Sequence, residues 1–257
     1  MSLITVSIVS HGHADLLVKL LDDLEKYCVD IIEVILTENI PDEKCVNIKD
    51  YKFKSKVIKN LSPKGFAENH NQAFLISSTS YFCVLNPDIR LKKNPFEKLV
   101  NSLNSNDDAV LIAPLVINSD GLSEDSIRRF PSPISLLMRV LRIKTKNQKF
   151  QSVGNILYPE WVAGMFMLFK ADFYRNVNGF NEIYYLYCED IDICTRIWRD
   201  GFIVMVDDSI QVIHDAQRSS HKKMKYLMWH ISSLFKYFCL YFFKIGKIRK
   251  LYTSKIN

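Results

Sequence analysis

The chain holds few of the residues that mark linkers, scaffolds or secreted domains. Its 257 residues include 8 glycines and 8 prolines, too few for a linker-rich or low-complexity protein, and no internal repeat points to a solenoid. The six cysteines, at positions 28, 45, 83, 188, 194 and 239, contain no Cys-x-x-Cys pair. Several lie inside apolar runs, so they read as reduced core residues rather than disulfides or a zinc site. The N-terminus carries no basic stretch, long apolar segment or small-residue cleavage site, which argues against a secretory signal and for a cytoplasmic location. Acidic residues are missing from 221–257, where nine Lys or Arg fall. That segment is therefore +9, and subtraction from the overall +6 leaves −3 for the rest.

What is present suits an enzyme-sized α/β domain. At 48% hydrophobic and 12% aromatic, the chain can bury one large core with an appended element. Apolar periodicity predicts a strand over 4–10, a helix over 16–27, a strand over 31–37, a short strand at 57–58, and a loop and helix over 65–78. Strands follow at 81–85, 110–114, 164–170 and 202–206, with a polar loop around 118–124 and a further apolar run at 210–213. Alternation of this kind predicts a largely parallel, doubly wound sheet.

Two acidic elements stand out on that frame. Tyr187-Cys188-Glu189-Asp190-Ile191-Asp192 puts three carboxylates within four positions beside an aromatic cluster. Crowding and desolvation both raise a carboxyl pKa, so such a group is offset by cations, a metal or solvent, or used as a general base. It also opens an amphipathic helix ended by Gly201, and taken alone it reads better as a solvated acidic helix start. The second is Asn86-Pro87-Asp88, which follows the apolar run 81–85. It places Asp88 at the carboxyl end of a central strand, where open α/β sheets bind ligands; an ordinary Asn-Pro-Asp turn is the alternative.

Together these elements resemble the family 2 glycosyltransferases, inverting enzymes with the nucleotide-sugar-binding GT-A fold, and within them the rhamnosyltransferases of bacterial O-antigen and surface-polysaccharide assembly. The likeness runs from Ile4 to about His214. It includes Ser10-His11-Gly12-His13, Lys64-Gly65-Phe66-Ala67-Glu68-Asn69-His70-Asn71, the Asn86-Pro87-Asp88 form of the Asp-x-Asp motif, Arg128-Arg129-Phe130-Pro131, Trp161-Val162-Ala163-Gly164 and Glu189-Asp190. The implied architecture is α/β: a GT-A (Rossmann-like), mostly parallel central sheet flanked by helices over 1–215, with a basic aromatic amphipathic helix over 216–257.

The resemblance also implies roles. Ser10, His11, Gly12 and Glu38 would hold the nucleotide base and ribose. The helix start at Gly65 and Phe66, with Asn69 and Asn71, would meet the pyrophosphate, although helix capping explains the asparagines nearly as well. Asp88, with Asn86 in place of the first carboxylate, would bind Mg2+ or Mn2+ across the phosphates, and His214 would serve as a further ligand. Asp190, with Glu189 as second choice, would be the base, and Asp192 a capping or packing carboxylate. Trp161 and Gly164 would form an acceptor platform, and Arg128 and Arg129 a phosphate clamp.

The basic tail interleaves lysines with Tyr226, Trp229, Phe235, Phe238, Phe242 and Phe243. It reads as an interfacial helix on an anionic membrane surface, peripheral on the inner face of the plasma (inner) membrane, with docking on the catalytic domain as the alternative. Large aliphatics among the cations argue against nucleic acid. The expectation is transfer of L-rhamnose from dTDP-L-rhamnose to a saccharide on a polyprenyl diphosphate. Another UDP- or GDP-hexose, or a catalytically silent membrane scaffold, are the alternatives.

Overall fold

A computed structural model describes residues 2–12, 14–40, 46–132, 149–214 and 224–256. His13, Cys45, the 215/216 boundary and Lys222 and Lys223 lie outside the described residues. The strands are β1 (Ile4–Ser10), β2 (Ile32–Glu38), β3 (Lys54–Lys59), β4 (Tyr81–Leu85), β5 (Ile89–Arg90), β6 (Ala109–Ile117), β7 (Ile127–Arg128), β8 (Gln151–Val153), β9 (Ile156–Tyr158), β10 (Trp161–Val162), β11 (Phe166–Lys170) and β12 (Ile203–His214). The helices are α1 (Ala14–Cys28), α2 (Phe66–Leu75), α3 (Phe96–Asn104), α4 (Ala171–Asn176), α5 (Glu189–Arg199), α6 (Met224–Tyr241) and α7 (Ile245–Ile256).

The main sheet runs β3-β2-β1-β4-β11-β6-β12-β9-β8, and β7 pairs with β10 in a separate ribbon. Strand β1, in which Thr5, Ser7 and Ser10 are buried along with the apolar residues, and the continuous apolar run of β4 are buried on both faces, as a central parallel strand requires, while β3 carries Lys54, Lys56 and Lys59 at the sheet's edge. Helix α1 buries Leu16, Leu17, Leu20, Leu21 and Leu24, the stripe its spacing predicts. Among the described cysteines, Cys28, Cys83, Cys188 and Cys194 are free and buried, and Cys239 is free and exposed.

Two features depart from the sequence pattern. The expected parallel order holds for β3, β2, β1 and β4 and for β6 with β12, but β11 runs antiparallel between β4 and β6. Apolar alternation identifies strands without encoding their direction, which depends on the end at which the connection enters. The reversal brings the first residues of β11 beside the last of β4: Phe166 pairs with Leu85, and the Asn86 N–H donates to the Met165 C=O at 3.0 Å. The runs at 202–206 and 210–213 also join in one strand, β12, whose register breaks between Asp207 and Gln211.

Helices α6 and α7 lie against this body. Tyr237 and Thr195 share a hydroxyl hydrogen bond of 2.9 Å, Tyr241 Oη donates to Asp192 Oδ1 at 2.8 Å, and Tyr252 Oη donates to the Tyr158 C=O at 2.8 Å. Arg249 pairs with Glu160 at 3.2 Å and Lys255 with Asp108 at 2.6 Å. No helix among the described residues is long and apolar enough to cross a membrane.

Candidate active site

A cleft of about 1540 Å³ opens outside the ends of β1, β4 and β11, and both acidic elements face it: Asn86, Pro87 and Asp88 from one side, Glu189 and Asp190 from another. The second pair is aimed by a turn in which Tyr187 and Cys188 adopt φ of 71° and 70°. Two successive left-handed residues that are not glycine cost on the order of 1–3 kcal/mol each and persist only where surrounding packing holds them. Glu189 is 5% exposed, and its Oε2 has no hydrogen-bond partner. Burial, reinforced by Asp190, drives its pKa well above the usual carboxyl range. Burial raises Asp190 too, but the backbone N–H groups of Ile191 and Gly164, at 2.8 and 3.2 Å, and the nearby Arg128 guanidinium oppose the rise. Asp192 turns away from the cleft. It is 0% exposed, pairs with Arg196 at 2.8 Å and accepts from Tyr241, the packing role expected for it.

Asp88 meets His214 as the sequence suggests, at 3.1 Å from Oδ2 to Nε2, and Glu124 completes a row by holding His214 Nδ1 at 2.5 Å. Burial alone would lower the histidine pKa, but the hydrogen bonds and charges of Asp88 and Glu124 outweigh it and raise the value to about 9. The imidazolium therefore donates from both nitrogens. Asp88 Oδ1 is buried without a partner, which fits a cation at that oxygen. Among the described residues, no group of three or more His, Cys, Asp or Glu side chains is arranged to hold a metal by itself. Substrate oxygens would have to supply the remaining ligands.

On the donor side the structure redistributes the expected contacts. His11 lines the cleft, whereas Ser10 is buried behind it and Gly12 serves a left-handed turn at φ +83°. Glu38 points elsewhere and pairs with Lys59 at 2.9 Å; strand alternation sends Asn39 to the cleft instead. Asn39 Nδ2 donates to His11 Nδ1 at 3.2 Å and to the Lys64 C=O at 3.0 Å, bracing the wall that Lys64 also forms.

The start of α2 is not an open anion site: the Phe66 N–H donates to the Tyr185 C=O at 3.0 Å, and a Cβ on Gly65 would lie 2.6 Å from that oxygen. Asn69 and Asn71 do not line the cleft. Asn69 is buried and bonded to Asn60 and Lys64, and Asn71 accepts from Tyr174 Oη and the Phe180 N–H while donating to the Phe180 C=O and Glu182. Partners more than a hundred residues away have taken the Phe66 N–H and the Asn71 amide, and the nearby Asn60 and Lys64 have taken Asn69.

On the opposite side Arg128, Arg129, Trp161 and Gly164 all line the cleft. Trp161 is 6% exposed, its indole N–H donates to the Arg129 C=O at 2.9 Å, and the Arg128 guanidinium covers its ring at 5.3 Å. Arg128 also pairs with Asp125 at 2.6 Å. Gly164 lies under Phe66, whose ring would be 3.1 Å from an added Cβ. Sequence reasoning missed Asn39, Lys64 and Glu124, and it missed Lys225, Tyr226, Trp229 and His230, through which α6 forms part of the cleft wall. Only Asn39 left a signal, in the period-2 alternation from Glu38.

A sequence profile described as glycosyl transferase family 2 matches residues 5–173. The chain belongs to that family. A second profile, the N-terminal domain of galactosyltransferase, matches residues 145–228 of this family 2 glycosyltransferase. Rhamnosyltransferase WbbL of Escherichia coli (strain K12) is 29% identical over 258 residues, covering 91% of this chain and 92% of that protein. The N-acetylglucosaminyl-diphospho-decaprenol L-rhamnosyltransferase of Mycobacterium tuberculosis (strain CDC 1551 / Oshkosh) is 24% identical over 53% of this chain and 47% of its own length.

Among solved structures, GalNAc-T7 with UDP, GalNAc and Mn2+ superposes with a TM-score of 0.68 at 14% identity, over 92% of this chain and 47% of that one. The mannosyltransferase PcManGT from Pyrobaculum calidifontis with GDP-Man and Mn2+ gives 0.58 at 13% identity, over 85% and 58%. The fold is thus of the GT-A type. The family 2 domain and the rhamnosyltransferase relatives make the chain a glycosyltransferase.

Proposed function

We propose that this glycosyltransferase moves L-rhamnose, with inversion, from dTDP-L-rhamnose to a saccharide carried on a polyprenyl diphosphate. The observation that carries the sugar is the near full-length likeness to rhamnosyltransferase WbbL, and the lipid-linked acceptor is supported by the decaprenol-linked relative. Asp190 is the base. Its carboxylate is held by two backbone N–H donors, which favour the ionised form, whereas at Glu189 burial and the neighbouring Asp190 outweigh the backbone hydrogen bonds at Tyr187 and Glu189 and drive the pKa well above the usual carboxyl range. The acceptor hydroxyl attacks the anomeric carbon on the face opposite the diphosphate, the bond to the phosphate oxygen breaks with its electron pair, and the hydroxyl proton passes to Asp190.

Asp88, through its partnerless Oδ1, would hold a magnesium or manganese ion, and His214 would join it on giving up its proton. A cation bound there would supply positive charge against the departing diphosphate. His214 and Glu124 fix the orientation of Asp88 meanwhile.

The exposed side of α6 is the membrane contact. Met224, Met228, Ile231 and Phe235 are 71, 64, 59 and 70% exposed on it, and the +9 tail favours an anionic lipid surface. The double variant Ile231→Ser/Phe235→Ser should stay folded and leave anionic vesicles; retained vesicle binding counts against this contact.

Calorimetric titration with dTDP-rhamnose, UDP-glucose, UDP-N-acetylglucosamine and GDP-mannose, each with manganese, magnesium or chelator, tests the donor. Metal-dependent binding of dTDP-rhamnose alone is expected, weakened by Asp88→Asn and preserved in Asp190→Asn, which should transfer no sugar. Selective binding of another donor replaces rhamnose, and full turnover by Asp190→Asn removes Asp190 as the base.

A further inference from the structure

Helix α6 touches the turn before the acidic pair residue by residue. Lys236 Nζ donates to the Ile183 C=O at 2.7 Å, and Tyr241 shares Asp192 with Tyr184. The Trp229 ring packs on Tyr185 at 4.7 Å between centroids, Ser233 Oγ donates to the Leu186 C=O at 2.8 Å, and His230 lies over Tyr187 at 4.9 Å. From the other side the start of α2 holds Tyr185 through the Phe66 N–H. The turn is gripped between two helices just where its backbone takes the left-handed steps at Tyr187 and Cys188, immediately ahead of Glu189.

Such a backbone relaxes to commoner conformations once its surroundings stop over-determining it. The carboxylates would then leave the geometry that attack on the anomeric carbon demands. We propose that α6 is a wall of the active site in its own right, with Trp229, His230 and Ser233 as positioning residues that hold 183–188 so that Glu189 and Asp190 face the acceptor. The helix then joins two jobs on opposite sides: its exposed residues meet lipid and its inner ones set the catalytic turn. The catalytic part of this inference rests on the transferase reading above.

The test uses the full chain carrying Ser233→Ala, Ser233→Thr and Trp229→Ala/His230→Ala. Hydrogen exchange at 183–190 should rise about fivefold in Ser233→Ala, the worth of one net hydrogen bond, and further in the double variant, with β1 and β4 unchanged. In parallel kcat should fall while donor affinity and vesicle binding stay at wild-type values, and Ser233→Thr should recover turnover. Wild-type exchange at 183–190 in both Ser233→Ala and the double variant overturns the proposal, as does loss of donor binding in step with turnover. If the wild-type chain transfers no rhamnose, the transferase reading fails separately, and exchange still decides whether α6 holds the turn.

Discussion

Replacing Gly65 by alanine should slow the reaction without touching the donor. Gly65 sits at φ −69° and ψ 165°, a conformation alanine adopts freely, so the substitution acts through volume alone. Its new Cβ would stand 2.6 Å from the Tyr185 carbonyl oxygen and 3.1 Å from the Tyr185 Cα, where ordinary contact begins near 3.4 Å. About 0.8 Å must be found (3.4 − 2.6), and both partners are backbone, so the 183–188 turn moves and the Phe66 N–H loses its acceptor. Overpacking of this kind costs about 1–3 kcal/mol. At roughly 2–4 °C per kcal/mol for a chain of this size, the melting temperature should fall by several degrees. A catalytic carboxylate displaced by a large fraction of an ångström should lose on the order of 10²-fold in kcat. Thermal melting, steady-state transfer and donor calorimetry on the same preparation check all three. Wild-type melting and turnover would refute the reasoning, and lost donor affinity with turnover preserved at saturation would return Gly65 to the pyrophosphate.

Tyr241→Phe removes a hydrogen bond to the fully buried Asp192 carboxylate and should cost about 1.5–3 kcal/mol in a denaturant titration; an unchanged midpoint would mean that Arg196 and Tyr184 suffice. Asn71→Ala strands the Phe180 N–H and the Tyr174 hydroxyl, at about 1–3 kcal/mol for each buried group, and should leave donor affinity unchanged, whereas a weakened donor would give Asn71 back to phosphate. Glu189 has its folded pKa raised above the ordinary 4.5 by burial, so the stability it lends is complete below pH 4.5 and is lost as pH rises toward the folded value. Glu189→Gln should therefore match wild type in acid and become more stable than it with rising pH, by about 1.4 kcal/mol per pH unit across that window, in urea melts at stepped pH. A gap that widens toward acid would contradict the sign.

Patterns confined to one element were legible. The leucine stripe of α1, the β-branched residues of β1, the apolar run of β4, and the acidic opening of α5 with its Gly201 stop each follow from local periodicity and chemistry. Asp88, Glu189 and Asp190 were found because a strand end and a helix start are recognisable places for chemistry. The misplaced residues share one cause. The start of α2, Asn69 and Asn71 present groups that a phosphate would use, and other protein groups use them first: distant ones at Tyr185, Tyr174 and Phe180 for Phe66 and Asn71, and the nearby Asn60 for Asn69. Glu124 comes from a polar loop without periodicity, and the grip of α6 on the acidic turn depends on side chains forty or more residues apart.

The reversed strand has a consequence for biosynthesis. Residues 4–85 contain β1 to β4 and can emerge from the ribosome as a parallel half-sheet, but the free side of β4 finds its partner only when Phe166–Lys170 has been made. At 5–20 residues per second, the intervening stretch of about 80 residues takes roughly 4–16 s to synthesise. Throughout that interval the nascent chain displays the uncharged edge Tyr81-Phe82-Cys83-Val84-Leu85, the type of strand that pairs with other chains. Slow translation between these strands should prolong this exposure and favour aggregation, while chaperones that shield the edge should raise the yield of soluble protein.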